Sequence, residues 1–217
     1  MGVNYNTDNL IAQSQYNRFV NLDSIEERII NYLIKSDSVF ANRIWKILKY
    51  PDAKALLQKD LTKEEKSKLV DNDSESQTTK RVFRYPFLED AFTEQCSLMR
   101  IYVDSIVPIN HLTSIVNVGI DLVTHNKINN LYNDSGDALE NPENYNPTED
   151  EIVIKSRKTT FLKNVLAELN GADIEGVGQL QFNREASYFS QAKLGLFNNR
   201  DYTGYKVILS CLQSGVR

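Results

Sequence analysis

The stretch that most limits what this chain can fold into runs from Leu98 to Thr124, LMRIYVDSIVPINHLTSIVNVGIDLVT. Met99, Ile101, Val103 and Val107 fall on one parity, with Arg100, Tyr102 and Asp104 on the other. Further on, Val116, Val118, Ile120 and Leu122 alternate with Asn117, Gly119 and Asp121. Period-two alternation rich in β-branched residues marks strands with one buried and one wet face. Pro108 and the polar run from Asn110 to Ser114 separate the two strands. The expectation is an antiparallel pair at the heart of a sheet. Its apolar face is covered by flanking elements and its polar face is in water.

Ahead of this hairpin the period changes to that of helices. Ser24 and Glu27 have capping-box spacing, and Ile25, Ile29 and Leu33, widened by Ile30 and Ile34, form an apolar stripe ending near Lys35. A second helix follows Ser38, with Phe40, Ile44, Ile47 and Leu48 on its apolar side and Trp45 in the core. It stops at Tyr50 before Pro51. Pro51 opens a short third helix through Ala53, Leu56 and Leu57, and Thr62 with Glu65 repeats the capping box before a charged helix to about Val70. Behind the hairpin, Arg157 to Asn170 places Phe161, Leu162, Val165, Leu166 and Leu169 on one face, and Gly171 stands where a left-handed cap residue belongs. The tail alternates again at Val177, Leu180 and Phe182, then at Tyr205, Val207, Leu209 and Cys211.

Polar segments punctuate these elements. Residues 1–21 read as an extended Asn-rich arm, and Asp71 to Lys80 as a solvated boundary loop without an apolar side chain. Asn129 to Glu151 holds six Asn, four Glu, three Asp and two Pro, a long acidic loop followed by a short strand at Ile152 to Ile154. The resulting organisation is an arm at 1–21, a helical subdomain and loop at 22–80, and a core at 81–217 with the acidic loop at 129–151. The fold class is α+β, an antiparallel or mixed sheet flanked by helices, with an N-terminal helical subdomain. A net charge of −4 and a pI near 5.3 argue against broad nucleic-acid binding. Two distant cysteines fit a reducing compartment better than a disulfide scaffold. No run of apolar residues is long enough to span a membrane, and the start lacks signal-peptide character, so the chain reads as soluble and made in the cytoplasm. Met-Gly at the start raises myristoylation, but Asn6 stands where that motif needs Ser or Thr.

No catalytic motif lies anywhere in the sequence. His111 and His125 have no zinc spacing and read as loop histidines, so no metal and no cofactor is expected. Asp104, Asp121 and Lys127 admit a metal-dependent nuclease, in which strand carboxylates hold a divalent ion and the lysine steadies charge. The competing account is that both aspartates lie on a wet face. Gly171, Gly176 and Gly178 follow a helix instead of opening one, so they suit turns better than a phosphate loop. Cys96 and Cys211 read as small apolar fillers. Eleven tyrosines, several in polar company such as Tyr132 and Tyr145, suit contact with other protein. The segment FNNRDYTGYK offers Asn198, Asn199, Arg200, Asp201, Tyr202 and Tyr205 as interface candidates, with Gly204 allowing close approach of another chain. An ordinary solvated hairpin turn has the same composition.

The segments RIYVDSIVP and SIVNVGIDLVTH, the helix RKTTFLKNVLAELNG leading into GVGQLQF, and the closing DYTGYKVILS together resemble a neck protein of a tailed bacteriophage, of the tail-terminator or head–tail connector ring type. The resemblance covers about residues 97–213; the helices at 22–70 and the acidic loop exceed a minimal terminator. It implies a non-enzymatic virion protein that forms a homo-oligomeric ring, meets the portal or adjacent neck proteins and the tail proteins, and passes DNA through its lumen without specific binding. Ring closure needs two different, complementary faces on each subunit. A metal-dependent phage nuclease or other DNA-processing enzyme, and a regulatory binding module, are the alternative readings.

Overall fold

The computed structural model describes residues 24–71, 79–85, 94–110, 113–132, 155–187 and 201–214. The expected arm at 1–21, most of the acidic loop, the strand at Ile152 to Ile154, His111, Tyr145, Asn198, Asn199 and Arg200 lie outside these residues.

The hairpin forms as expected and is longer than the alternation alone implied. Strand β2 spans Ser97–Pro108 and β3 spans Thr113–His125. With β1 (Val82–Phe83), β8 (Gln181–Phe182) and β9 (Tyr202–Ser214) they make a sheet in the order β1-β2-β3-β9-β8. Only β1 runs parallel to its neighbour. Two-stranded ladders, β4 (Asn130–Leu131) with β5 (Lys155–Ser156) and β6 (Asp173–Ile174) with β7 (Gly178–Gln179), flank it. The fold is α+β.

Helices α1 (Ile25–Lys35), α2 (Val39–Lys49) and α4 (Arg157–Leu169) provide the layer over one face of the sheet. Ile25, Ile29 and Leu33, Ile44 and Trp45, and Phe161 and Val165 are fully buried. They share one core with Met99, Ile101, Val116, Val118, Ile120, Leu122, Val207 and Leu209. Burying one such side chain contributes about 1.5–3 kcal/mol, so this shared core is the main force holding helices to sheet. Trp45 satisfies its indole N–H on the Leu33 carbonyl at 2.9 Å.

Local signals came out unevenly. Thr62 and Glu65 form the full capping box at the start of α3 (Lys63–Lys68). Ser24 makes no cap bond: its φ of −108° and ψ of −3° are helical, where a capping hydroxyl needs extended backbone, and its Oγ accepts from Arg28 instead. Ser38, with extended backbone, caps α2 through the Ala41 N–H. The helix expected after Pro51 is a single 3-10 turn, Ala55–Leu57. Phe40 is 39% exposed, because the buried stripe of α2 runs through Ala41, Ile44, Trp45 and Leu48 and leaves Phe40 at its margin. Gly171 adopts φ 89° just past α4. Val177 lies in the turn between β6 and β7, with Gly176 in that turn and Gly178 at the start of β7 also at positive φ, so Val177, Leu180 and Phe182 do not share one continuous strand.

Two expectations about the hairpin are overturned. The polar parity is not wet along its length: Arg100, Tyr102 and Asp121 are buried, where the register sets Arg100 directly opposite Asp121 and the two form an ion pair, while Asp104 is exposed. Val107 is not on the core face. The register runs from Val103↔Val118 to Ser105↔Asn117, so Asp104 is an extra residue on β2. One inserted residue exchanges the faces beyond it, which turns Ile106 toward the core and Val107 outward.

Candidate assembly surface

The sheet face opposite the helices reads as five cross-strand rows. Leu98, Val123 and Gly204 come first, then Arg100, Asp121 and Lys206, then Tyr102, Gly119 and Ile208. Ser105, Asn117 and Ser210 follow, and Val107, Ile115 and Leu212 end the series.

The first rows are closed. Phe83 and Cys96 pack with Leu98 and Val123, and burial pushes the Cys96 thiol up to about 12, which suits an inert filler. Gly204 is required here: a Cβ would sit 2.0 Å from the Leu122 carbonyl oxygen, so the strand it lets approach is the chain's own β3. In the second row Arg100 Nη2 meets Asp121 Oδ2 at 2.7 Å, and the Tyr102 hydroxyl donates to the same oxygen at 3.0 Å. Burial pushes the Asp121 carboxyl above its usual range against the pull of Arg100. Burial, then the charge of Asp121, pushes the Tyr102 phenol up to about 12. Lys206 pairs with Asp104 and lies 5.5 Å from the Tyr102 ring centroid. The Tyr102 ring itself covers Gly119, where a Cβ would come within 2.8 Å of it. In the fourth row Asn117 donates to Ser105 Oγ at 3.0 Å and accepts from Ser210 at 2.6 Å.

The carboxylates that admitted a nuclease are therefore committed to cations. Asp121 faces Arg100, and Asp104 faces Lys206. Lys127 is exposed in the 3-10 turn past β3, and its N–H donates to His125 Nδ1. Among the described residues no group of three His, Cys, Asp or Glu is placed to hold a metal ion.

The described interface candidates sit at the closed end of the sheet. Tyr202 donates its hydroxyl to the Glu94 carbonyl at 2.6 Å and meets His125 edge-on at 5.0 Å; burial pushes its phenol up to about 12. The Asp201 carbonyl accepts from the Asn126 N–H at 2.7 Å. Tyr205 lies under Lys158 Nζ at 5.8 Å, and Tyr132 is half-buried with its N–H on the Ala53 carbonyl. Asp201, Tyr202 and Tyr205 hold the start of β9 against the rest of the chain.

The last row is different. Val107 is 50% exposed and Leu212 60%, with half-buried Ile115 between them in register and Ile109, 55% exposed, just past the end of β2. Neighbouring aliphatic side chains open to water on a flat sheet face form a surface suited to contact with protein. The sequence carries a trace of it: Ile115 and Leu212 are apolar residues on the polar parity of their strands. Val39 and Phe40, at the start of α2, are the other large exposed apolar side chains among the described residues. A cleft of about 420 Å³ beside α1 is lined by both signs of charge, including Arg28, Lys35, Asp173 and Glu175, so it selects no single ligand charge. None of the described helices is long and apolar enough to cross a membrane.

A family model described as YomW matches residues 41–211. No curated protein and no solved structure matches the chain.

Proposed function

The chain belongs to the YomW family, a phage-derived family, and from that premise we propose that it is a virion structural protein which closes into a ring at the phage neck and joins portal and capsid to the tail. The observation that carries this reading is the registered row Val107, Ile115 and Leu212 with Ile109, an aliphatic face left open to water. A ring subunit needs two non-identical sticky faces, and the second exposed apolar pair, Val39 and Phe40, lies on a different element. The cation-paired state of Asp104 and Asp121 favours a scaffold over metal-assisted hydrolysis. The acidic balance suits a lumen that lets DNA pass. The partners in this reading are further copies of the chain, the portal or an adjacent neck protein, and tail proteins, and its place is the virion.

Electron microscopy of phage particles carrying a tagged copy, together with light scattering of the purified chain, tests it. A tag density confined to the neck and a discrete ring-sized species are expected. Particles that lack the protein overturn the reading, as does a magnesium-dependent nuclease activity that purifies with it.

A further inference from the structure

The outer edge of β2 is a place where a second chain could add a strand. Strand β1 pairs with it only at Met99 and Arg100, and from Asp104 to Pro108 no described strand lies alongside. Asp104, Ser105, Val107 and Pro108 are exposed. Long open edges with free N–H groups template edge-to-edge pairing, and folded proteins blunt them with charges, bulges and prolines.

Three features meet on this edge. The Val103 N–H points away from β3 and donates to the carboxylate of Glu26, a residue of α1, at 3.0 Å. Asp104 is the extra residue that offsets the ladder. Beyond it, alternation turns the Ile106 N–H outward and then the position of Pro108, which has no N–H to offer. A first-turn glutamate serving only its own helix would face that helix's free N–H groups. This one reaches a strand 77 positions away in sequence.

We propose that Glu26 is an edge guard: its carboxylate occupies the outward N–H of Val103 and, with the Asp104 offset and Pro108, keeps β2 from adding a strand of a second copy of this chain. The guard disfavours open-ended pairing of copies along this edge. It does not depend on the neck reading and is tested on the purified chain alone.

The experiment compares Glu26→Ala, Glu26→Gln and Pro108→Thr by sedimentation over a wide concentration range, with amide hydrogen exchange at Val103 and Ile106. Glu26→Ala is expected to self-associate at least about tenfold more tightly than the parent, and both amides should become protected as concentration rises. Glu26→Gln keeps an acceptor and should behave as the parent. Pro108→Thr restores an outward N–H without touching α1, and should also associate if Glu26→Ala does not fold. Unchanged association in the folded variants overturns the proposal. So does association that leaves Val103 and Ile106 exchanging freely.

Discussion

Arg157 offers the sharpest test of how the helices are tied to the sheet. It is fully buried at the first position of α4, and its five N–H donors meet five backbone carbonyls. Nε reaches Ile128 at 2.7 Å; Nη1 reaches Ile47 at 3.1 Å and Tyr50 at 2.7 Å; Nη2 reaches Pro51 at 3.1 Å and also Asp52. Burial pulls the guanidinium down to about 10, so it stays charged at neutral pH. The acceptors belong to the end of α2, the Pro51 turn and the 3-10 turn after β3, so one side chain fastens three segments to α4. Arg157→Met keeps the apolar stem and strands the carbonyls. A stranded buried acceptor costs about 1–3 kcal/mol. Pro51 and Asp52 lie at the surface and can turn to water, and Tyr50 and Ile128 are half-buried, so the loss should fall at the low end for three acceptors, near 3–5 kcal/mol. For a chain of this length that corresponds to a drop in Tm of roughly 6–20 °C, at about 2–4 °C per kcal/mol. Urea unfolding followed by circular dichroism reads it as a lower midpoint at unchanged slope. Arg157→Lys should recover only part, because an ammonium has three donors and no planar fork. A cost below about 1 kcal/mol, matching a change at exposed Lys163, would refute the clamp.

Gly204→Ala should lower stability by about 1–3 kcal/mol or more, since a Cβ meets the Leu122 carbonyl at 2.0 Å; an unchanged melt would show that β9 can shift aside. Glu65 is held down to about 2 by its bond to Lys49 and then by the Thr62 N–H. Its folded pKa lies below its unfolded value, so its contribution is present above about 4.5 and fades as pH falls toward 2. A carboxyl NMR midpoint near 4.5 would contradict that. Val107→Lys with Leu212→Lys should leave the melting transition within about 0.5 kcal/mol of the parent, yet abolish the proposed ring species in light scattering; normal assembly would remove this row from the proposed interface. Asp121→Asn should cost about 3–5 kcal/mol in urea unfolding, because Arg100 then lies buried without a counter-charge. A near-neutral result would mean that Arg100 finds another partner.

By itself the sequence determined the elements that local chemistry specifies. The two central strands announce themselves through period-two alternation, and the covering helices through their apolar stripes. The Thr62–Glu65 box follows from residues within one turn of each other, although the same spacing at Ser24 and Glu27 forms none. Each needs only neighbours along the chain, which a sequence displays directly. What only the tertiary structure decided depends on partners far away in sequence. Whether Arg100 and Asp121 are wet or buried turns on their being directly opposite, 21 residues apart. The role of Arg157 turns on carbonyls that carry no side-chain signature at all. The face of Val107 turns on one extra residue in the ladder, Asp104, which is visible only once β2 and β3 are in register. Parity propagates without error along a regular strand, and a single bulge reverses it. The exposed row of Val107, Ile115 and Leu212 therefore exists as a surface only after three strands have aligned.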